Sequence, residues 1–169
     1  ATLLRGARRA RLDEVAHAAS MSAIARHYGA EPPAPSVRSR PTRSAFEMAL
    51  ENAVEGCVRE TFGAMVGTYQ SMAASDPAVR HALQQIAQDE TRHAALSWQI
   101  AEWLDARLTP SERQHVREAM AQAVTQLRRE MSQPPDGEVC GIAGLPSPEE
   151  MAPWIDELSS LFWAADIAA

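Results

Sequence analysis

A short segment of this chain occurs twice, and the two copies constrain the fold more than any other feature. Residues 12–25 read LDEVAHAASMSAIA, and residues 88–101 read QDETRHAALSWQIA. With Asp13 placed on Asp89, seven of thirteen positions are identical, and both copies contain Asp-Glu-x-x-His-Ala. Residues three apart lie on one face of an α-helix, so each copy offers a glutamate and a histidine to a single target. The two pairs are Glu14 with His17 and Glu90 with His93.

Both glutamates are predicted to point inward from their helices. By the 3.6-residue repeat, Glu90 lies in an apolar stripe whose members fall within about 60° of it. They are Leu83, Ile86, Ala87, Ala94, Ala101 and Leu104. Glu14 has a similar set of neighbours, which are Ala7, Ala10, Met21 and Tyr28. An unpaired carboxylate in an apolar core costs much free energy, so each glutamate needs a partner.

The helix between the two copies carries a third carboxylate that is predicted to point inward. Glu55 falls in a stripe made by Met48, Val58, Phe62, Val66 and Tyr69. Glu51, one turn earlier, is the alternative. Glu60 lies about 140° around the helix from Glu55 and is predicted to support the ligands from behind or to pack between helices. No arginine or lysine is predicted in these stripes, so a bound divalent cation is the expected source of neutralising charge.

Sites that combine carboxylates with one imidazole per ion suit iron or manganese. Zinc is usually bound by only four ligands, with fewer oxygens among them. The sequence therefore predicts a metal site whose ligands are Glu14, His17, Glu55, Glu90 and His93. A single Glu-x-x-His on a helix is usually a surface pair, and Glu112 with His115, in a polar first turn, is interpreted in that way. His27 and His81 lack such partners and are predicted to be structural or solvated.

The composition indicates an all-α fold. Hydrophobic residues make up 46% of the 169 residues but aromatic residues only 5%, which favours closely packed helices over β-sheets. Helices are predicted over residues 3–29, 42–74, 77–107, 111–132 and 148–165, with Ser111 as an N-cap and a Pro-rich loop after Gly29. Residues 134–147 are predicted to be a Pro/Gly loop. The last helix should cover the bundle or a neighbouring subunit with Trp154, Ile155, Leu158, Leu161 and Phe162.

Charge and hydropathy exclude two classes of partner. The net charge of −6 argues against nucleic-acid binding, which requires a basic face. The arginine cluster at residues 5, 8, 9 and 11 is predicted to be a solvated helix face. No run of eighteen apolar residues occurs, so no membrane span is predicted. Two cysteines, Cys57 and Cys140, indicate neither a disulfide framework nor a cysteine-based zinc site, and the compartment stays open.

The patterns EGCVRE at 55–60 and DETRHA at 89–94 resemble the ferritin-like four-helix-bundle carboxylate proteins, and among them the duplicated bacterial type. The resemblance covers residues 1–107. It implies an antiparallel bundle in which two helices each supply a glutamate and the other two each supply Glu-x-x-His to two metal ions. By that likeness Glu14 and Glu90 would bridge the ions, His17 and His93 would be end ligands, and Glu55 would bind one ion terminally.

The chain departs from that pattern in one respect. The repeat offset is 76 residues, so the counterpart of the Glu55 helix would lie upstream of residue 1, and the fourth carboxylate is not seen. We expect either an upstream helix, a later helix or a second subunit in a homodimer to supply it. Residues 1–133 are predicted to form the bundle with one accessory helix, and residues 134–169 to pack on it.

The resemblance implies a di-iron protein that oxidises iron or reacts with oxygen or peroxide, with manganese as the alternative metal. A different class of function is a helical structural or interaction module that has lost its metal. A substrate-specific oxygenase is a third possibility, and it would need an open cavity beside the ions.

Overall fold

The computed structural model describes residues 2–34 and 41–163. Within these ranges 83% of the residues are helical and there is no strand, which confirms the all-α prediction. The elements are α1 (Thr2–His27), α2 (Ala45–Glu51), the π-helix π1 (Asn52–Glu60), α3 (Thr61–Ala73), α4 (Pro77–Asp105), α5 (Pro110–Met131), α6 (Gly137–Ala143), α7 (Pro148–Leu158) and the π-helix π2 (Ser159–Trp163). Every described helix is too short or too polar to cross a bilayer.

The helix ends follow from local chemistry. Asp76 caps α4, because its carboxylate accepts hydrogen bonds from the backbone N–H groups of Ala78 and Val79. The cap of α5 is Thr109 rather than Ser111, so that prediction was wrong. Thr109 and Glu112 form a reciprocal capping box, which satisfies two backbone donors where a serine one turn inside the helix would satisfy none.

Helix α4 is the centre of the fold. On one side it packs antiparallel to the continuous helix formed by α2, π1 and α3, and Gly56 lies directly against Ser97. On another side it packs antiparallel to α1, where Gly6 lies against Leu96 and Ile24 packs against the cluster containing Val79 and Leu83. The two copies of the repeated motif therefore face each other across the α1–α4 contact.

The largest apolar core lies between π1, α3, α5 and the C-terminal elements. Its buried members are Val58, Phe62, Ala123, Leu127, Met151, Ile155, Leu158 and Trp163. The indole N–H of Trp163 donates to the carbonyl oxygen of Cys57 at 2.9 Å. As predicted, Ile155 and Leu158 are buried against the bundle and Trp154 packs on them. Leu161 and Phe162 do not cover the bundle but are exposed, because π2 changes the helical register after residue 158.

The segment predicted to be a Pro/Gly loop contains the short helix α6. Asp136 caps it, and Gly144 ends it in the left-handed conformation, with φ of +62°. The backbone carbonyls of Gly141 and Ile142 accept hydrogen bonds from Ser75 and Asp76 in the α3–α4 turn. Helix α6 is therefore hydrogen-bonded to the turn that joins the antiparallel helices α3 and α4.

Candidate metal centre

The two copies of the motif meet with a reciprocal arrangement of histidine and aspartate. His17 Nε2 lies 3.0 Å from Asp89 Oδ2, and His93 Nε2 lies 3.4 Å from Asp13 Oδ2. Each histidine thus contacts the aspartate of the opposite helix. The antiparallel packing of α1 on α4 produces this pairing, because equivalent residues of the two helices approach each other around a local two-fold axis.

The other nitrogen of each histidine faces the glutamates. His93 Nδ1 lies 3.1 Å from Glu14 Oε1 and 3.8 Å from Glu90 Oε2. His17 Nδ1 lies 3.2 Å from Glu90 Oε1 and 3.7 Å from Glu14 Oε1. The two imidazole rings are 5.8 Å apart between centroids. Four side chains therefore converge on one small space between α1 and α4.

A count of protons shows that neutral imidazoles alone do not satisfy this arrangement. A neutral imidazole has one N–H, and here both nitrogens of both histidines face carboxylate oxygens. If Nε2–H donates to aspartate, the Nδ1 lone pair of a neutral ring faces glutamate oxygens that are also hydrogen-bond acceptors. Either a second proton on the ring or a cation between the two acceptors removes this conflict, and ligand atoms about 2.0–2.2 Å from an ion lie roughly 3 Å from each other. The observed separations of 3.1 and 3.2 Å are compatible with both arrangements.

The aspartates are held ionised by arginines. Arg9 Nε donates to Asp13 at 2.8 Å, and this hydrogen bond lowers the pKa of Asp13. Arg92 contacts both Asp13 and Asp89. Burial raises the pKa of Asp89, but hydrogen bonds from His17 and Arg92 outweigh it and the pKa is lowered. Ionised aspartates accept N–H from the histidines, which leaves Nδ1 free for a metal.

Glu90 has the opposite environment. It is half-buried, and the pKa of its carboxyl is raised, first by burial and then by the charge of Glu14. The histidines work against this shift but do not cancel it. A carboxylate in such surroundings gains from a nearby cation, because the cation favours its charged form.

Two of the predicted ligands are more exposed than their stripes indicated. The side chain of Glu14 is 57% exposed and that of Glu55 is 64% exposed. The prediction that both lie in buried apolar stripes was wrong. On this side an open groove separates α1 from the α2–π1 helix, with α4 as its floor. Glu14 nevertheless points at His93, and atoms of Glu14, His17 and Glu90 lie within 4.8 Å of one another.

The π-helix π1 brings a further carboxylate to the groove. Glu60 accepts a hydrogen bond from Ser97 Oγ at 2.7 Å and lines the groove together with Glu55 and His93. In an α-helix Glu60 would lie about 140° from Glu55. The i→i+5 bonding of a π-helix makes five residues close to a full turn, so the two glutamates come onto similar faces.

No protein-family model, curated protein or solved structure matches this chain.

The remaining histidines lie elsewhere, as predicted. His115 is exposed, and its Nδ1 lies 2.9 Å from the carbonyl oxygen of Ser111, while Glu112 serves in the capping box. His27 and His81 are exposed. The arginines at 5, 8, 9 and 11 are exposed too. Asp13 and Asp89 were not predicted as part of the site, although both stand in the repeated Asp-Glu-x-x-His-Ala motif.

Proposed function

We propose that this chain is a ferritin-like carboxylate protein that binds two metal ions, iron in the first place and manganese as the alternative. Glu14 and Glu90 would lie between the ions, and His17 and His93 at the two ends. The observation that supports this most is the pair of histidines whose nitrogens all face carboxylate oxygens. Oxygen-rich sites with one imidazole per ion suit these metals.

The residues around the ligands would prepare the site before any ion arrives. Asp13 and Asp89 orient the rings and fix the Nδ1 lone pairs toward the glutamates. Glu55 and Glu60 line the same groove as His93, and either supplies the terminal carboxylate from the α2–π1 helix. Bound iron would supply the redox chemistry with which such proteins oxidise further iron or react with oxygen or peroxide.

The second candidate is a helical structural or interaction module that binds little or no metal. The exposure of Glu14 and Glu55 favours it, because carboxylates in water need no ion for neutralisation. Pairing of His17 and His93 with aspartates would then be structural, with both imidazoles protonated.

Metal binding by matched histidine variants separates the two candidates. Protein purified without chelator is loaded with ferrous ion under nitrogen and dialysed, and iron is measured per chain. We expect about two ions per chain for the unaltered protein and for His115→Ala, and a large loss for His93→Ala. Equal retention in both variants would remove the case for this site, and less than about a tenth of an ion per chain in the unaltered protein would favour the metal-poor module.

A further inference from the structure

Helix α1 has an extensive apolar surface, and among the described elements its main packing partner is α4. Yet four of the ten large hydrophobic residues that are exposed in the described structure belong to this one helix, and Tyr28 follows directly after it. The four are Leu4, Leu12, Val15 and Met21. A helix that is apolar on several sides is normally covered on several sides.

The internal repeat shows which face of α1 lacks a partner. The 76-residue offset pairs Ala7 with Leu83, Ala18 with Ala94, Met21 with Ser97 and Tyr28 with Leu104. All four α4 members are buried, and at Ser97 the covering residue is Gly56 of π1. All four counterparts are exposed, Met21 to 46% and Tyr28 to 48%. Tyr28 lies one residue past α1 and donates a hydrogen bond to Asp76, so the face of α1 that contains Ala7, Ala18 and Met21 is named the α1 seam.

The α1 seam forms one wall of the open groove. The groove has a volume of about 400 Å³, its floor is α4 and its other wall is the α2–π1 helix. Ala7 and Ala10 line it from α1, and Met48 and Glu55 line it from the opposite side. A single helix laid along the groove would contact α1, α4 and the α2–π1 helix.

The charges on the two sides of the groove are complementary. Arg5, Arg8 and Arg11 are exposed on α1. On the α2–π1 wall of the groove Glu51, Glu55 and Glu60 outnumber Arg43, and Glu55 is exposed with Arg59 3.9 Å from it. Gly6 and Gly56 abut the adjacent residues Leu96 and Ser97 of α4, so Arg5 and Arg8 lie at the same height as Glu55. An α1 helix placed in the groove at that height would bring arginines to the acidic wall. A second copy of the chain carries such a helix.

We propose that two copies of this chain associate so that α1 of each lies in the groove of the other, with the two α1 seams in contact. The contact is isologous: one surface meets itself, as is usual for two-fold dimers. It covers Met21 and the alanines of the α1 seam together with the exposed side of Glu14. The inference rests on the surface of α1 and does not require bound metal.

The test begins with mass and cross-linking in solution. Light scattering on the unaltered chain should give twice the 18.4 kDa of one chain. In a Cys140→Ser background, where the remaining Cys57 is buried, Ala18→Cys should form a disulfide-linked dimer on mild oxidation. Ala16→Cys is the matched control, because Ala16 is also exposed but lies about 160° around the helix from Ala18. It should stay uncross-linked.

The second part of the test places a charge on the α1 seam. Met21→Lys should give a monomer with an unchanged helical circular dichroism spectrum, whereas Met72→Lys, at an exposed methionine of α3, should remain dimeric. A monomeric mass for the unaltered chain, or equal cross-linking of the two cysteine variants, would overturn the proposal. So would co-purification of a different protein whose loss alone exposes the α1 seam. Iron content is measured separately, so failure of metal binding leaves the dimer result readable.

Discussion

At the scale of single residues, the aspartates decide what the histidines can do. A histidine that donates from Nε2 presents its Nδ1 lone pair, and the tautomer is set by the acceptor on the far side of the ring. Asp13 and Asp89 are those acceptors, and arginines keep both ionised. In the proposed metal site the ligand strength of His17 would therefore depend on a residue of α4, and that of His93 on a residue of α1.

We predict that Asp89→Asn weakens metal binding without unfolding the chain. The amide has nearly the same shape but no charge, so the tautomer and basicity of His17 are no longer fixed. Loss of such a supporting hydrogen bond typically costs about 10–100-fold in metal affinity. Titration with ferrous or manganous ion measures the change. Asp156→Asn, which removes an exposed aspartate paired with Arg128, is the control, and an equal loss there would contradict the role given to Asp89.

The sequence predicted the glutamate and histidine pairs but not these aspartates, for a physical reason. Residues three or four apart share a helix face whatever the helix packs against, so Glu90 and His93 are paired by local geometry alone. The contact of His17 with Asp89 crosses between helices. It depends on the position of α1 along the axis of α4, and the periodicity of one helix carries no information about that position.

At the scale of elements, the two π-helices mark the limits of reasoning from a 3.6-residue repeat. The prediction of one helix over residues 42–74 was close to the observed 45–73. The angles assigned beyond Asn52 were nevertheless altered, because π1 spreads each turn over more residues. Glu60 consequently reaches the groove, which the α-helical angle did not predict. The helix α6 was missed because its residues are mostly glycine and short apolar side chains, and its stability comes from contacts with the α3–α4 turn.

The end of α6 gives a test of that contact. Gly144 has φ of +62°, and an added Cβ would overlap the backbone of Ala73 and Ala74. Gly144→Ala should lower the free energy of unfolding by more than about 2 kcal/mol. Gly63→Ala is the control, since nothing lies within 4 Å of a Cβ there, and alanine in a helix should stabilise by about 0.5–1 kcal/mol. Chemical denaturation measures both, and equal effects would show that α6 does not pack as described.

At the scale of the whole molecule, the predicted metal site and the stability of the fold are linked. The carboxylates of Glu14 and Glu90 repel each other, and burial already raises the pKa of Glu90. For an acid, a raised pKa in the folded state means that stability is lost as pH rises through that pKa. Ions bound between the glutamates would reverse this loss, because they bind the deprotonated ligands of the folded chain.

We therefore predict a higher melting temperature with metal, and a larger increase at pH 7.5 than at pH 5. Free ion at about 100 times its dissociation constant adds about 2.7 kcal/mol, or roughly 5–11 °C for a chain of this size. Calorimetry with manganous ion measures the increase without oxidation. Magnesium, which binds imidazole weakly, is the control. No increase with manganous ion, or the same increase with magnesium, would count against the site.

The crossed pairing of histidine and aspartate also bears on how such a chain can change over generations. A substitution in one copy of the motif acts on the histidine of the other copy, so we expect the two copies to tolerate changes jointly rather than separately. A change at Asp13, for example, would remove the carboxylate that faces His93 on the other helix.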